Sequence, residues 1–202
     1  MWAARAPIGV ILAGGLGTRI GGSKAMVELK GRPLIAYPCE ALRQALGETA
    51  ILAKADTELP SLPGVSVWVE PPTPRHPLIG IMHALSLAEG RSIVVCPLDL
   101  PFLTPDIVHQ LAEADAWGHA AVIAAAGDRT EPLLGCYRPV ALERLQRAGV
   151  PADAPVPEAV ARIGARVLEV APLALFNVDS PDDLLQAAAM LDRMEAPSPR
   201  RS

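Results

Sequence analysis

Short, largely apolar runs alternate along the chain with longer stretches of helical composition. Such runs are typical of strands that are buried on both faces of a sheet. The alternation predicts an α/β fold whose sheet is mainly parallel. The predicted strands lie at residues 8–12, 50–53, 65–69, 92–96, 120–125, 133–137 and 166–170, and the predicted helices at 34–46, 78–89, 105–115, 140–148, 157–163 and 181–194.

Proline and capping residues indicate where several helices begin. Thr104 and Ser180 are typical N-caps, and each is followed directly by a proline that suits the first helical position. Pro33 predicts the start of the first helix in the same way. Pro38 lies inside that helix and predicts a kink or a later start.

The chain has 202 residues, enough for one domain with a substantial core. We expect this single domain to span residues 1–195. The tail, 196–202, combines Pro and Ser with two arginines, and we expect it to be disordered. Between the regular elements we expect a turn at 128–132 and an extended segment at 173–179.

Charge and cysteine content exclude several classes of function. The net charge is −4 and basic residues cluster only in the tail, so we expect no nucleic acid and no membrane surface as partner. The apolar runs are too short to span a bilayer, and the N-terminus lacks the apolar segment of a secretory signal. Cys39, Cys96 and Cys136 form no C-x-x-C pair, which argues against a zinc site or a disulfide framework and indicates a reducing cytoplasm.

The glycine-rich segment after the first strand is the strongest candidate for chemistry. Five of the thirteen residues from Leu12 to Lys24 are glycines, and the two charges among them are Arg19 and Lys24. Glycines let successive N–H groups turn toward one anion, and the two cations suit a triphosphate. A flexible surface turn is the alternative, but it would not explain two cations framed by glycines. The segment lacks the third glycine of the dinucleotide fingerprint and the Gly-Lys-Ser/Thr of the P-loop.

Two aspartates follow later strand-like segments. Ligands of open α/β sheets bind outside the carboxyl ends of the strands, so Asp99 is well placed to hold Mg²⁺ against bound phosphates. A turn aspartate is the alternative, although Thr104 already supplies the nearby helix cap. Asp179 is either a second metal ligand or the lead into the last helix, and spacing leaves both open. Asn177 is a weaker candidate, because asparagine is common near turns.

Together these motifs resemble the small nucleotidyltransferases, and among them the molybdenum cofactor guanylyltransferases. The opening motif is Leu12-Ala13-Gly14-Gly15-x-Gly17-x-Arg19-x-Gly21-Gly22-x-Lys24, followed by Leu29-x-Gly31-x-Pro33-Leu34. The later matching segments are Pro77–Ile81, Cys96–Phe102, Glu131–Tyr137 and Asn177–Leu184. The matches extend from about residue 8 to 190. The opening loop is widespread among nucleotidyltransferases, and its combination with the later segments is more specific.

The resemblance implies a three-layer, Rossmann-like fold with helices on both faces of the sheet. It implies a Mg²⁺-dependent reaction in which the terminal phosphate of molybdopterin attacks the α-phosphate of GTP and pyrophosphate leaves. Molybdoenzymes or their chaperones would receive the product. The implied catalytic residues are Arg19, Lys24 and Asp99, the metal ligands Asp99 and Asp179, and the acceptor-binding residues Asn177 and Asp179. The implied nucleotide-binding residues are Leu12, Ala13, Gly14, Gly15, Gly17, Lys24, Ala53, Glu70 and Asp99.

The sequence departs from the family pattern where the base is expected to bind. His76 replaces a glycine, and residues 53–56 lack an expected asparagine. A nucleotide-contacting acid is expected after the third strand, and either Glu70 takes this role or the role is lost. Two alternatives therefore stay open. One is a nucleotidyltransferase that uses CTP or another phosphorylated acceptor. The other is an inactive nucleotide-binding regulator, against which the intact Arg19, Lys24 and Asp99 argue.

Overall fold

Strands and helices alternate along the chain in the computed structural model, which describes residues 6–15, 23–115, 117–149, 151 and 154–195. The strands are β1 Ile8–Leu12, β2 Glu28–Leu29, β3 Arg32–Pro33, β4 Thr49–Ala53, β5 Ser66–Val69, β6 Ile93–Pro97, β7 Ala121–Ala126, β8 Arg129–Tyr137 and β9 Ala165–Glu169. The helices are α1 Ala36–Leu46, α2 Pro77–Leu87, α3 Pro105–Glu113, α4 Pro139–Arg147, α5 Val156–Arg162 and α6 Pro181–Glu195. Short 3₁₀ helices occupy Lys24–Met26 and Pro172–Leu175.

Seven strands form one sheet in the order β5-β4-β1-β6-β8-β7-β9. β8 runs antiparallel to its neighbours β6 and β7, and the other four pairs of this sheet are parallel. β2 and β3 form a separate antiparallel pair. The predicted α/β fold with a mainly parallel sheet is confirmed.

Each face of the sheet is covered by a layer of helices. Successive residues of a strand point to opposite faces, and in β1 Ile11 faces one core while Val10 faces the other. Residues of α1, α3 and α6 pack into the core that contains Ile11. Residues of α2, α4 and α5 pack into the core that contains Val10. The three-layer arrangement implied by the resemblance is therefore confirmed.

The prediction that Pro33 starts the first helix is wrong. Pro33 pairs with Glu28 in the small antiparallel sheet, and α1 begins only at Ala36. Pro38 then lies in the first turn of α1, where a missing N–H removes no intrahelical hydrogen bond. The first helix therefore starts later than residue 34, which is one of the two outcomes that Pro38 predicts.

Two expected connections differ from the structure. β8 already begins at Arg129, so the turn predicted at 128–132 is shortened to a tight hairpin at Gly127 and Asp128. The segment 173–179 is not extended throughout, because Pro172–Leu175 forms a 3₁₀ helix and the backbone becomes extended only at Phe176. In both places local composition indicates a loop, while sheet pairing and packing decide the conformation.

The predicted caps at Thr104 and Ser180 are confirmed. Thr104 Oγ1 accepts a hydrogen bond from the Ile107 N–H at 3.4 Å, and Ser180 Oγ accepts one from the Asp183 N–H at 3.2 Å. The Asp183 carboxylate reaches back to the N–H groups of Ser180 and Asp179, at 2.9 and 3.1 Å. Hydrogen bonds, first that of the Ser180 hydroxyl, lower the pKa of Asp183. This reciprocal cap fixes the backbone at Asp179.

None of the helices within the described residues has both the length and the apolar character needed to cross a bilayer. The tail predicted to be disordered, 196–202, lies outside the described residues.

Candidate functional site

The carboxyl ends of four neighbouring parallel strands lie side by side at one edge of the sheet. These are β5, β4, β1 and β6, in that spatial order. Glu70 and Lys54 follow β5 and β4, Gly14 follows β1 by two residues, and Asp99 follows β6 by two. This is the edge at which open α/β sheets bind their ligands.

Lys24 lies between two carboxylates at this edge. Its Nζ is 2.5 Å from Asp99 Oδ2 and 2.5 Å from Asp179 Oδ1. The backbone supports the arrangement, since the Val178 N–H donates to the Asp99 carbonyl at 3.0 Å. The structure thus brings together three predicted site residues that come from distant parts of the sequence.

Burial and charge oppose each other in this cluster. Burial raises the pKa of Asp99, and the nearby Lys24 ammonium partly offsets that rise. Burial by itself would lower the pKa of Lys24, but the Asp99 and Asp179 carboxylates outweigh it and the pKa is raised. Lys24 therefore remains a cation at neutral pH. Burial also raises the pKa of Glu131 on β8, and the Asp99 carboxylate adds to that rise.

The donor set of the cluster fits a divalent metal bound together with phosphates. Asp99 and Asp179 both contact one cation, the Lys24 ammonium. Asn177 Nδ2 donates a hydrogen bond to Asp179 Oδ2, the oxygen that does not contact Lys24. The described residues contain no group of three or more His, Cys, Asp or Glu side chains that could hold a metal. Mg²⁺ commonly takes one or two carboxylates and completes its shell with phosphate oxygens and water.

A cavity of about 250 Å³ opens at the same edge of the sheet, with Leu12 of β1 and Pro97 of β6 in its wall. Glu70 and Lys54 lie in its wall, and both side chains are almost fully buried. His76 stands where the resemblance expects glycine, and its Nδ1 caps α2 by accepting from the Leu78 N–H at 3.3 Å. The lining residues are Leu12, Gly14, Gly15, Lys54, Glu70, Arg75, His76, Pro77, Gly80, Pro97 and Leu133.

The structure places two predicted nucleotide contacts in the core rather than in the cavity wall. The side chains of Ala13 and Ala53 are each 1% exposed and pack into the core beneath α1. The Ala53 carbonyl is also occupied, because it accepts from the Glu70 N–H at 2.9 Å. The predicted contacts Leu12, Gly14, Gly15 and Glu70 do line the cavity, and so does Lys54, to which the sequence alone assigns no role. The available signal was its place directly after a parallel strand.

Two further predicted site residues, Gly17 and Arg19, lie outside the described residues. Their assignment to the phosphate-binding loop stays a prediction.

Replacing Gly14 with alanine should destabilise the protein, whereas the same change at Gly15 should not. A methyl group on Gly14 would lie 2.0 Å from Glu70 Oε1, while one on Gly15 would meet nothing within 4 Å. The Glu70 carboxylate would have to rotate away from its place beside Lys54. We expect Gly14→Ala to lower the free energy of unfolding by about 1–3 kcal/mol. Urea denaturation of both variants tests this, and equal stability of the two would contradict it.

A lysine that lies between two carboxylates at the strand ends of an open sheet is suited to bind a nucleoside triphosphate together with its metal. This site on this fold is characteristic of a nucleotidyltransferase. Residues 9–169 match the family model of the MobA-like NTP transferase domain, and the chain belongs to this family.

Individual relatives agree with this assignment. A molybdenum cofactor guanylyltransferase from Cereibacter sphaeroides is 34% identical over 188 residues, covering 91% of this chain and 96% of the relative. The crystal structure of molybdopterin-guanine dinucleotide biosynthesis protein A from Archaeoglobus fulgidus is 25% identical, with a TM-score of 0.75 and coverage of 93% of this chain and all of that one. A 2-C-methyl-D-erythritol 4-phosphate cytidylyltransferase from Thermus thermophilus shares the fold at 20% identity, with a TM-score of 0.67 and coverage of 92% and 99%.

Proposed function

We propose that the protein transfers GMP from GTP to the terminal phosphate of molybdopterin, with Mg²⁺, and releases pyrophosphate. The observation that carries the proposal is the contact of Lys24 with Asp99 and Asp179, at the same sheet edge as a cavity lined by Glu70. The near-complete coverage of a relative named for guanylyl transfer supports the same choice of nucleotide and acceptor.

Glu70 is suited to bind guanine. Its ionised carboxylate only accepts hydrogen bonds, and guanine offers two adjacent donors, N1–H and the 2-amino group. Cytosine offers one donor, its 4-amino group, next to the acceptor N3, which a carboxylate would repel. Leu12 and Gly80 contribute apolar wall to the same cavity, as base pockets usually have.

The reaction follows from the charges at the sheet edge. Asp99 and Asp179 would hold the metal, which when bound neutralises phosphate oxygens and stabilises the leaving group. Lys24 would exchange its carboxylate partners for the triphosphate and balance the charge of the departing pyrophosphate. An oxygen of the pterin phosphate attacks the α-phosphorus, and the bond from that phosphorus to the bridging oxygen breaks. Asn177 and Asp179, at the open side of the cluster, are the proposed contacts for the acceptor.

Pyrophosphate release measures the proposed function directly. The protein is incubated with Mg²⁺, molybdopterin that carries molybdenum, and each of the four nucleoside triphosphates in turn. We expect release with GTP, and only when both Mg²⁺ and the pterin are present. Turnover with CTP alone would show that the protein transfers a cytidylyl group and not a guanylyl group. Binding of GTP without any release would favour a nucleotide-binding regulator instead.

A further inference from the structure

Lys54 is a buried cation in a stretch that otherwise looks like surface. Its side chain is 1% exposed, while the next two residues, Ala55 and Asp56, are exposed. A lysine is almost never this buried unless it is paired, because losing water costs a charged group several kcal/mol. A buried ammonium therefore needs partners, and here all of them come from one segment, residues 70–74, which follows β5.

Two backbone carbonyls and one carboxylate surround the ammonium group of Lys54. Nζ donates to the Pro71 carbonyl and to the Pro74 carbonyl, the latter at 3.5 Å, and it lies 3.3 Å from Glu70 Oε2. An ammonium group has three donors and no acceptor. Two of these donors are engaged by the Pro71 and Pro74 carbonyls, and the positive charge lies beside Glu70. It connects the end of β4 to Glu70 and to the proline-rich loop that follows β5.

The Glu70 carboxylate, in contrast, keeps its capacity to accept hydrogen bonds. One oxygen lies against the Cα of Gly14, and the other faces Lys54. Among the described residues, no group other than Lys54 lies in bonding contact with this carboxylate. Lys54 thus fixes the place of the carboxylate mainly by charge and leaves lone pairs open toward the cavity.

We propose that Lys54 is a positioning residue that sets the preference for guanine, by holding the Glu70 carboxylate where the N1–H and 2-amino group of the base reach it. This inference rests on the proposed function, because it assumes that the cavity holds the base. It assigns the preference to a pair of residues, Lys54 and Glu70, rather than to Glu70 alone. In this role Lys54 acts through Glu70, without a contact of its own to the base or to the reacting phosphates.

Binding of GTP and ITP to the full chain separates this role from a general structural one. ITP differs from GTP only in lacking the 2-amino group, so the ratio of their Kd values reports the contact of that group with Glu70. We expect the unchanged protein to bind GTP about tenfold more tightly than ITP, the usual effect of leaving a buried acceptor without its donor. Glu70→Gln should bring the ratio close to one, and Lys54→Met should do the same while Glu70 is still present.

Two further variants keep the test decisive if Lys54→Met does not fold. Lys54→Gln retains an amide that can donate to the Pro71 and Pro74 carbonyls but removes the charge beside Glu70, and it should also reduce the ratio. The double variant Lys54→Met with Glu70→Gln leaves no unpaired charge, and its ratio should equal that of Glu70→Gln alone.

Arg91 provides the matched control at the opposite end of β4. It donates to the Ala6 carbonyl at 2.7 and 3.0 Å and pairs with Glu48 at 2.5 Å. Arg91→Met should lower the melting temperature and leave the ratio of GTP to ITP unchanged.

The outcomes distinguish the inference from the proposed function. A ratio near one in the unchanged protein would contradict guanine recognition by Glu70, and with it the proposed base pocket. A normal ratio that Glu70→Gln abolishes and the Lys54 variants leave intact would overturn only the role of Lys54. Equal losses of GTP and ITP affinity in the Lys54 variants would also overturn it, since a contact with the shared 6-oxygen or the phosphates would then be indicated.

Discussion

Replacing Asp99 with asparagine should lower Mg²⁺-dependent nucleotidyl transfer by about 10³-fold, the scale of losing a central electrostatic group in a phosphoryl-transfer site. Asparagine has nearly the same shape, so packing around the site should be preserved. Burial of Asp99 disfavours its charge, and the substitution removes that charge while Lys24 keeps Asp179 as a partner. The folded state should consequently stay close to its original stability. Steady-state pyrophosphate release measures the loss of activity, and urea denaturation measures whether stability is preserved.

Asp106 is the control for this substitution. It follows Asp99 by seven residues, lies in the first turn of α3 and is exposed. Asp106→Asn should retain normal turnover. Near-normal turnover of Asp99→Asn would contradict the assignment of Asp99 as a metal ligand, whatever the control shows.

Replacing Lys24 with methionine should weaken triphosphate binding at least tenfold and make the stability of the protein depend on Mg²⁺. Without the ammonium group, Asp99 and Asp179 face each other with no cation between them. Breaking a buried pair costs about 3–5 kcal/mol, but the Asp179 side chain is 44% exposed, so we expect about 1–2 kcal/mol at low metal concentration. Added Mg²⁺ should restore much of this loss by taking the vacated position.

Lys30 allows a matched comparison, because it too lies between two carboxylates. Its Nζ is 2.6 Å from Asp192 Oδ1 and 2.6 Å from Glu195 Oε2, but both acids are exposed on α6. Lys30→Met should leave GTP affinity unchanged and confer no new dependence on Mg²⁺. Isothermal titration with GTP, and thermal melts with and without Mg²⁺, measure both effects. If the two variants behaved alike, Lys24 would be an ordinary ion-pair residue.

The elements that the sequence predicts correctly are those with a strong local signal. The continuous apolar run of β6 has few alternatives to a central strand, and the cap-and-proline start of α6 determines where that helix begins. Pro33 shows the limit of such signals. Proline suits the first turn of a helix and an edge strand equally well, and its pairing with Glu28 depends on a neighbouring strand that composition does not reveal.

The candidate site was predictable as a set of strand ends but not as a set of contacts. Asp99 and Asp179 stand out because they follow strand-like segments. Their joint contact with Lys24 joins residues 75 and 155 positions apart, which no spacing rule anticipates. Lys54 was missed for a related reason. In sequence it resembles an exposed lysine, and only the parallel pairing of β4 with β5 places Glu70 beside it.

The fate of the individual phosphates of GTP tests the central claim that this sheet edge transfers a nucleotidyl group. The protein, Mg²⁺ and molybdopterin carrying molybdenum are incubated with GTP labelled either at the α- or at the γ-phosphate, and the products are separated. We predict that the α-label appears in a guanine dinucleotide of the pterin and the γ-label in pyrophosphate. Appearance of the γ-label on the pterin, or of the α-label in free GDP, would contradict nucleotidyl transfer at this site.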